Sequence, residues 1–188
     1  DDRFAIVDEA LLPLFEKIRE HTGIERVFVA NRSDKPLLDG YECYEAFLQS
    51  APADYAFPAI DENEPCGMCY TSGTTGRPKG VVYSHRAMVI HTYCICLADT
   101  TAVSGRDTVM PVVPQFHANA WGLAFGAILV GAKLVMPGQH MDAASLLDLA
   151  AAEQVTLAAG VPTIWIGILQ ELDKDASRWS LSPKLRTV

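Results

Sequence analysis

Basic residues are scarce in this sequence. Fifteen Lys and Arg stand against 23 Asp and Glu, a formal net charge of -8, and the cations are scattered with no basic stripe. That disfavours nucleic acid or an anionic membrane surface as the main partner. An anionic small substrate stays open, because backbone N–H groups and one lysine can hold phosphate locally. Long apolar runs are also missing. The most apolar stretch, Ala118 to Val135, is interrupted by Asn119, by Gly122, Gly126 and Gly131, and by Lys133. It reads as a buried helix and strand, and no transmembrane segment is expected. The opening Asp1-Asp2-Arg3 has no secretory pattern, and a cytoplasmic location is expected. The five cysteines are an odd number lying mostly in apolar runs, which reads as reduced thiols and not as a disulfide framework. Cys66-x2-Cys69 has no second pair at a useful spacing and lies in a strand-like segment, so no metal site is expected.

What is present suits a folded α/β domain. With 188 residues, 49% apolar and 20% charged, the chain can bury a sizeable core in one domain, or in one domain plus part of a second. Strands are expected at Phe4–Val7, Arg26–Ala30, Cys66–Tyr70, Gly80–Tyr83, Thr108–Val113, Lys133–Met136 and Thr156–Ala159. Helices are expected at Glu9–His21, around Tyr44–Gln49, and over His85–Leu97 behind a Ser84 cap. Further helices are expected from Trp121 to Val130, from an Asp142 cap to Gln154, and from Pro162 to Leu172. Residues 31 to 64 form a polar excursion, and the last nine residues run toward another strand. The second half alternates strand and helix, which predicts a mostly parallel, helix-flanked β-sheet. Both ends are expected to be cuts in a longer polypeptide.

The segment Thr71-Ser72-Gly73-Thr74-Thr75-Gly76-Arg77-Pro78-Lys79-Gly80 sets three glycines, four hydroxyls and a lysine directly after a strand. Gly73 and Gly76 permit tight turning and close approach of N–H groups to an anion. The hydroxyls can donate to phosphate oxygens or sit near a Mg2+ shell. Pro78 stiffens the exit, so Lys79 can reach back as a point charge. The pattern is neither a Walker A motif nor a dinucleotide fingerprint. A phosphate cradle and a plain Gly/Thr surface loop both fit these residues. Similarly, His117 alone reads as a helix-start or core residue, and Trp121 alone as a core aromatic.

Residues 70 to 86, YTSGTTGRPKGVVYSHR, resemble the AMP-binding signature of acyl- and aryl-CoA synthetases, peptide-synthetase adenylation domains and luciferases. PVVPQFHANAWG (111–122) and GVPTIWIGIL (160–169) resemble later segments of the same family, so the resemblance extends over the whole chain. It implies part of the large N-terminal domain of an adenylate-forming enzyme. It places a first subdomain, with the phosphate loop, at residues 1–107 and the start of a second at 108–188, with a C-terminal lid domain absent. It also implies a two-step reaction, in which a carboxylate and ATP give an acyl-adenylate and pyrophosphate, and coenzyme A then displaces AMP. ATP, Mg2+ and coenzyme A are the implied cofactors and co-substrates.

Carried over residue by residue, Thr71, Ser72, Gly73, Thr74, Thr75, Gly76 and Lys79 would cradle the β- and γ-phosphates. Thr74 and Lys79 would be catalytic, with Thr74 and Thr75 nearest the phosphates. His117 would orient the carboxylate and adenylate, and Trp121 would gate an apolar tunnel in the manner of medium- and long-chain fatty-acyl-CoA synthetases. Val161, Pro162 and Thr163 would approach the acyl pocket. His85 and His91, six residues apart, do not share a metal-ligand face, and His21 and His140 read as surface residues. The expected acid is a fatty acid, with a short-chain or aryl acid, or a catalytically silent domain binding a nucleotide or partner, as alternatives. The long-chain group often pairs through N-terminal regions, which makes a homodimer an expectation for the parent. Family parts for adenine, the ribose hydroxyls and the C-terminal lysine are not in these 188 residues, so this piece alone is expected to have negligible adenylation activity.

Overall fold

The computed structural model describes residues 2–31, 33, 36–71 and 76–188. The chain divides into two compact units, Asp1–Ala59 and Ile60–Val188. In the first, strands β1 (Phe4–Asp8), β2 (Arg26–Ala30) and β3 (Glu42–Cys43) form a parallel sheet in that order. Helix α1 (Leu12–Arg19) lays Phe15 on Val7 and Val27, and α2 (Tyr44–Ser50) brings Phe47 within 4.3 Å of the Phe28 ring. A 3-10 turn, Glu9–Leu11, precedes α1, with the Asp8 carboxylate accepting from Ala10 N–H.

The second unit opens with a hairpin of β4 (Pro65–Thr71) and β5 (Lys79–Ser84), paired antiparallel. Helix α3 (His85–Ile95) follows at once, and Ser84 Oγ accepts from Ala87 N–H as the expected cap. Next come β6 (Thr108–Pro111), a one-turn segment α4 (Ala118–Trp121), α5 (Leu123–Val130) and β7 (Lys133–Leu134). They are followed by α6 (Ala143–Ala152), β8 (Leu157–Ala159), α7 (Pro162–Asp175) and β9 (Arg186–Thr187). Asp142 caps α6, and donation from Ser145 N–H holds its carboxyl below the usual range. Pro162 opens α7, as its fixed φ favours. Among the described residues, no helix is long and apolar enough to cross a membrane.

The four later strands form a wholly parallel sheet in the order β7-β6-β8-β9. Val109 pairs with Leu134 on one side and Leu157 on the other, and Val109 and Leu157 are both 0% exposed. Helix α5 carries the chain from β6 to one side, while α7 carries it from β8 to the other. The connections therefore diverge at the carboxyl ends of β6 and β8, where open α/β sheets characteristically form a ligand crevice. The loops leaving that point are residues 112–117 and 160–161.

At the opposite end of the strands, Asp107 fastens the sheet. Its Oδ1 accepts from Thr156 Oγ1 at 2.8 Å and Arg186 Nη2 at 3.0 Å. Its Oδ2 accepts from the Ser104 N–H and hydroxyl, both at 2.9 Å. Burial pushes the Asp107 carboxyl up, but these donors outweigh it and hold the group below the usual carboxylate range.

A depressed carboxyl contributes stability that is present above the unfolded value, about 3.9, and lost as pH falls through the lower folded value. Asp107→Asn should therefore cost about 1–3 kcal/mol in denaturant unfolding at neutral pH, because an amide N–H would face donors. The gap between wild type and variant should close as pH is lowered below about 4. A gap unchanged with pH would show that the Asp107 charge does not stabilise the sheet.

Candidate active site

All of the site residues expected from sequence fall in the second unit. The antiparallel register pairs Tyr70 with Gly80 and Thr71 with Lys79, so Thr71 and Lys79 face each other at the mouth of the loop between β4 and β5. Ser72, Gly73, Thr74 and Thr75, the middle of the expected phosphate cradle, lie outside the described residues. Gly76 has φ +79, a backbone state that any L side chain would strain, and it is exposed with Thr71 and Lys79. These residues stand where an incoming polyphosphate could reach them, and Lys79 supplies the local positive charge.

The residues expected on the acyl side are arranged less simply. His117 is exposed and flanks α4, with its N–H donating to Pro114 O at 3.1 Å. The following segment is not a right-handed helix: Ala118, Asn119, Ala120 and Trp121 all have φ between 48 and 56, and Gly122 has φ 74. This is a full left-handed turn, closed by Ala120 N–H to His117 O and Gly122 N–H to Asn119 O. The regular helix starts only at Leu123, two residues later than the sequence pattern predicts.

The turn borders a cleft of about 500 Å³. Tyr83, Ala87, Met88 and His91 line one wall, and Ala118, Asn119, Trp121 and Gly122 line the other. Its size suits a small-molecule site, roughly 300–1,000 Å³, and apolar walls with a few polar atoms are the usual composition. A smaller cavity of about 240 Å³ lies among Met110, Leu146, Trp165, Ile168, Leu181 and Leu185. It is almost wholly apolar and reads as helix-to-sheet packing. The His91 ring lies against Gly122, where a Cβ would come within 2.7 Å of Nδ1. Further along, Gly126 lets α5 close on Ile95 of α3.

The structure thus brings Trp121 into a cleft, while His117 stands at the start of the turn that carries it. Val161, Pro162 and Thr163 lie exposed at the end of β8, outside the residues lining this cleft. The sequence carries no site expectation for Tyr83, Met88 or Asn119, and His91 reads there only as a histidine that shares no metal-ligand face with His85. Ala87, Met88 and His91 recur at helical spacing on one face of α3, which was the available signal. Among the described residues, no group of three or more His, Cys, Asp or Glu could hold a metal ion. Cys66 is exposed whereas Cys69 is buried, with its thiol directed to Asn119 at 3.5 Å.

The sequence profile of the AMP-binding enzyme family matches residues 4–188. The chain belongs to the AMP-binding enzymes. It is 43% identical over 173 residues to a medium-chain-fatty-acid–CoA ligase of Ectopseudomonas oleovorans, covering 90% of this chain and 32% of that one. It is 46% identical over 179 residues to a long-chain-fatty-acid–CoA ligase of Thermus thermophilus, covering 95% and 32%. The chain therefore spans about a third of the length of these curated relatives. The fold resembles that of a long-chain-fatty-acid–CoA ligase from Archaeoglobus fulgidus, with a TM-score of 0.80 at 22% identity over 98% of this chain and 41% of the other. The mostly parallel, helix-flanked architecture expected of the N-terminal domain of an adenylate-forming enzyme is the one this chain adopts.

Gly122→Ala should lower stability by about 1–2 kcal/mol through the left-handed backbone alone, with a further loss from displacing His91. The second loss should vanish in Gly122→Ala/His91→Ala, so unfolding measurements on the double-mutant cycle should give a less-than-additive sum. Strict additivity would mean that the His91 contact does not constrain position 122.

Proposed function

We propose that the polypeptide carrying this chain activates a fatty carboxylate with ATP and then transfers the acyl group to coenzyme A. The observation that carries this reading is the Thr71–Lys79 pairing at the mouth of the phosphate loop, in the same unit as a cleft walled by Trp121. The names of the medium- and long-chain ligase relatives favour a fatty acid. In the first step, a carboxylate oxygen attacks the α-phosphorus of ATP. The O–Pα bond forms, the bond from Pα to the bridging oxygen breaks, and pyrophosphate leaves. Charge accumulates on that leaving group, so Lys79 and the donors of residues 71–76 act where stabilisation matters. No general base is required, because the acid is already ionised at neutral pH.

In this reading Thr71, Ser72, Gly73, Thr74, Thr75 and Gly76 hold the β- and γ-phosphates, with Thr74 and Lys79 serving catalysis. His117 orients the carboxylate, and Trp121 bounds the space for the acyl chain. The second step breaks the acyl–phosphate bond as the thiol sulfur of coenzyme A attacks the acyl carbon, releasing AMP while the thiol proton passes to solvent. Mg2+ would accompany the nucleotide as its counter-ion, and the hydroxyls of the loop are the side chains here that fit its shell. The same reading includes a boundary between subdomains near residue 107, a homodimeric full-length protein and a cytoplasmic location.

The test is acid-dependent ATP–pyrophosphate exchange by the full-length polypeptide, with acids from acetate to palmitate and with benzoate. Exchange should peak with a medium or long acid, and Lys79→Met should lower it by about 100-fold. A peak at short or aryl acids would overturn the fatty-acid assignment. No exchange by folded protein would instead favour a catalytically silent binding domain.

A further inference from the structure

Among the described residues that line the cleft, Asn119 joins the turn through its side chain both to β4, a strand of the phosphate-loop hairpin, and to α3, the helix that follows that hairpin. Its Oδ1 accepts from the Cys69 thiol at 3.5 Å, and its Nδ2 donates to Met88 Sδ at 3.8 Å. Cys69 is 6% exposed and stands on β4, two residues before Thr71. Met88 stands on α3, one turn before His91. Asparagine tolerates left-handed backbone better than most residues, but its neighbours do not. Holding an L residue there brings its Cβ too close to the following carbonyl oxygen, and Ala118, Ala120 and Trp121 all have positive φ. Ala120 is fully buried, which anchors the middle of the turn. Thiols are weak donors and thioethers weak acceptors, so the two contacts of Asn119 serve direction more than binding strength.

We propose that Asn119 is a positioning residue for the acid half of the site. Strapped to β4 through Cys69 and to α3 through Met88, its amide holds the left-handed turn in the register that sets Trp121 against the cleft and His117 beside it. Asn119 need not touch the substrate, since it acts through those two residues. The inference rests on the acid-activating reading above and adds a determinant of acid selection that no sequence pattern in the chain pointed to.

The experiment measures ATP–pyrophosphate exchange by the full-length polypeptide, varying acid at saturating ATP and ATP at saturating acid. Asn119→Gly retains left-handed freedom and removes only the amide, which separates the strap from backbone strain. It should raise KM for the preferred acid about tenfold, flatten the chain-length preference, and leave KM for ATP within about twofold. Cys69→Ala should move the acid KM in the same direction and combine with Asn119→Gly less than additively, whereas Cys69→Ser, which keeps a donor, should retain the wild-type profile. An acid KM and chain-length preference unchanged in Asn119→Gly would overturn the proposal. So would parallel rises in both KM values, which indicate general loosening. If Asn119→Gly fails to fold by circular dichroism, the same two criteria are applied to Asn119→Asp, which keeps the acceptor for Cys69 and loses the donor to Met88. Absence of exchange by the unaltered protein would overturn the functional reading itself, and the inference with it.

Discussion

Four successive residues with side chains, held at positive φ, are an expensive way to connect a strand to a helix. At about 1–2 kcal/mol each, the turn Ala118–Trp121 would unwind in isolation. It persists because its surroundings fix it from several directions. Ala120 is fully buried, Asn119 is held from β4 and α3, and Gly122 completes the turn under the His91 ring. The geometry of the cleft depends on this. A right-handed helix begun at Ala118 would turn Trp121 and Asn119 in other directions, and the wall that both now share would be lost. Backbone strain of this kind concentrates at functional sites, where over-determined surroundings keep it.

The sheet decides where that turn is placed. Because β6 connects toward β7 and β8 toward β9, the chain diverges at the carboxyl ends of the two central strands. The loop leading to His117 starts from one of them and Val161 from the other. The near-complete burial of Met110, Ala158 and Ala159 makes this end of the sheet a rigid base. The Asp107 cluster secures the other end. The hairpin β4–β5, on which the expected phosphate loop sits, is built differently, as an antiparallel pair outside the parallel sheet, and Cys69 is where it meets the turn.

Much of this was legible in the chain itself. Ser84, Asp142 and Pro162 start their helices as expected, because a cap or a fixed φ is a local property. The alternation of strand and helix gave the parallel sheet. The run 70–86 pointed to the AMP-binding family, whose profile covers the chain. The centre of the phosphate loop, residues 72–75, lies outside the described residues, so its predicted roles rest on sequence. What sequence reading missed came from tertiary forces. Ala-Asn-Ala-Trp has no glycine, and Asn119 alone of the four tolerates left-handed backbone readily, which is too little to announce a whole left-handed turn. Helix α5 was expected to be buried, yet Ile128 is 73% exposed, because only the face bearing Leu123, Gly126 and Ala127 packs inward. Asn119 escaped notice because its two partners are 31 and 50 residues away in sequence.

The central claim is that the acid side of the reaction is built on the left-handed turn and the facing surface of α3. The most direct measurement is the position of the alkyl chain in a crystal structure of the full-length polypeptide with a non-hydrolysable fatty-acyl-adenylate analogue. The account predicts a chain lying between Trp121 and the Met88–His91 face, with the turn still left-handed. A chain seated elsewhere, such as against Trp165 and Leu185, or a turn that rewinds to right-handed helix around the ligand, would contradict it.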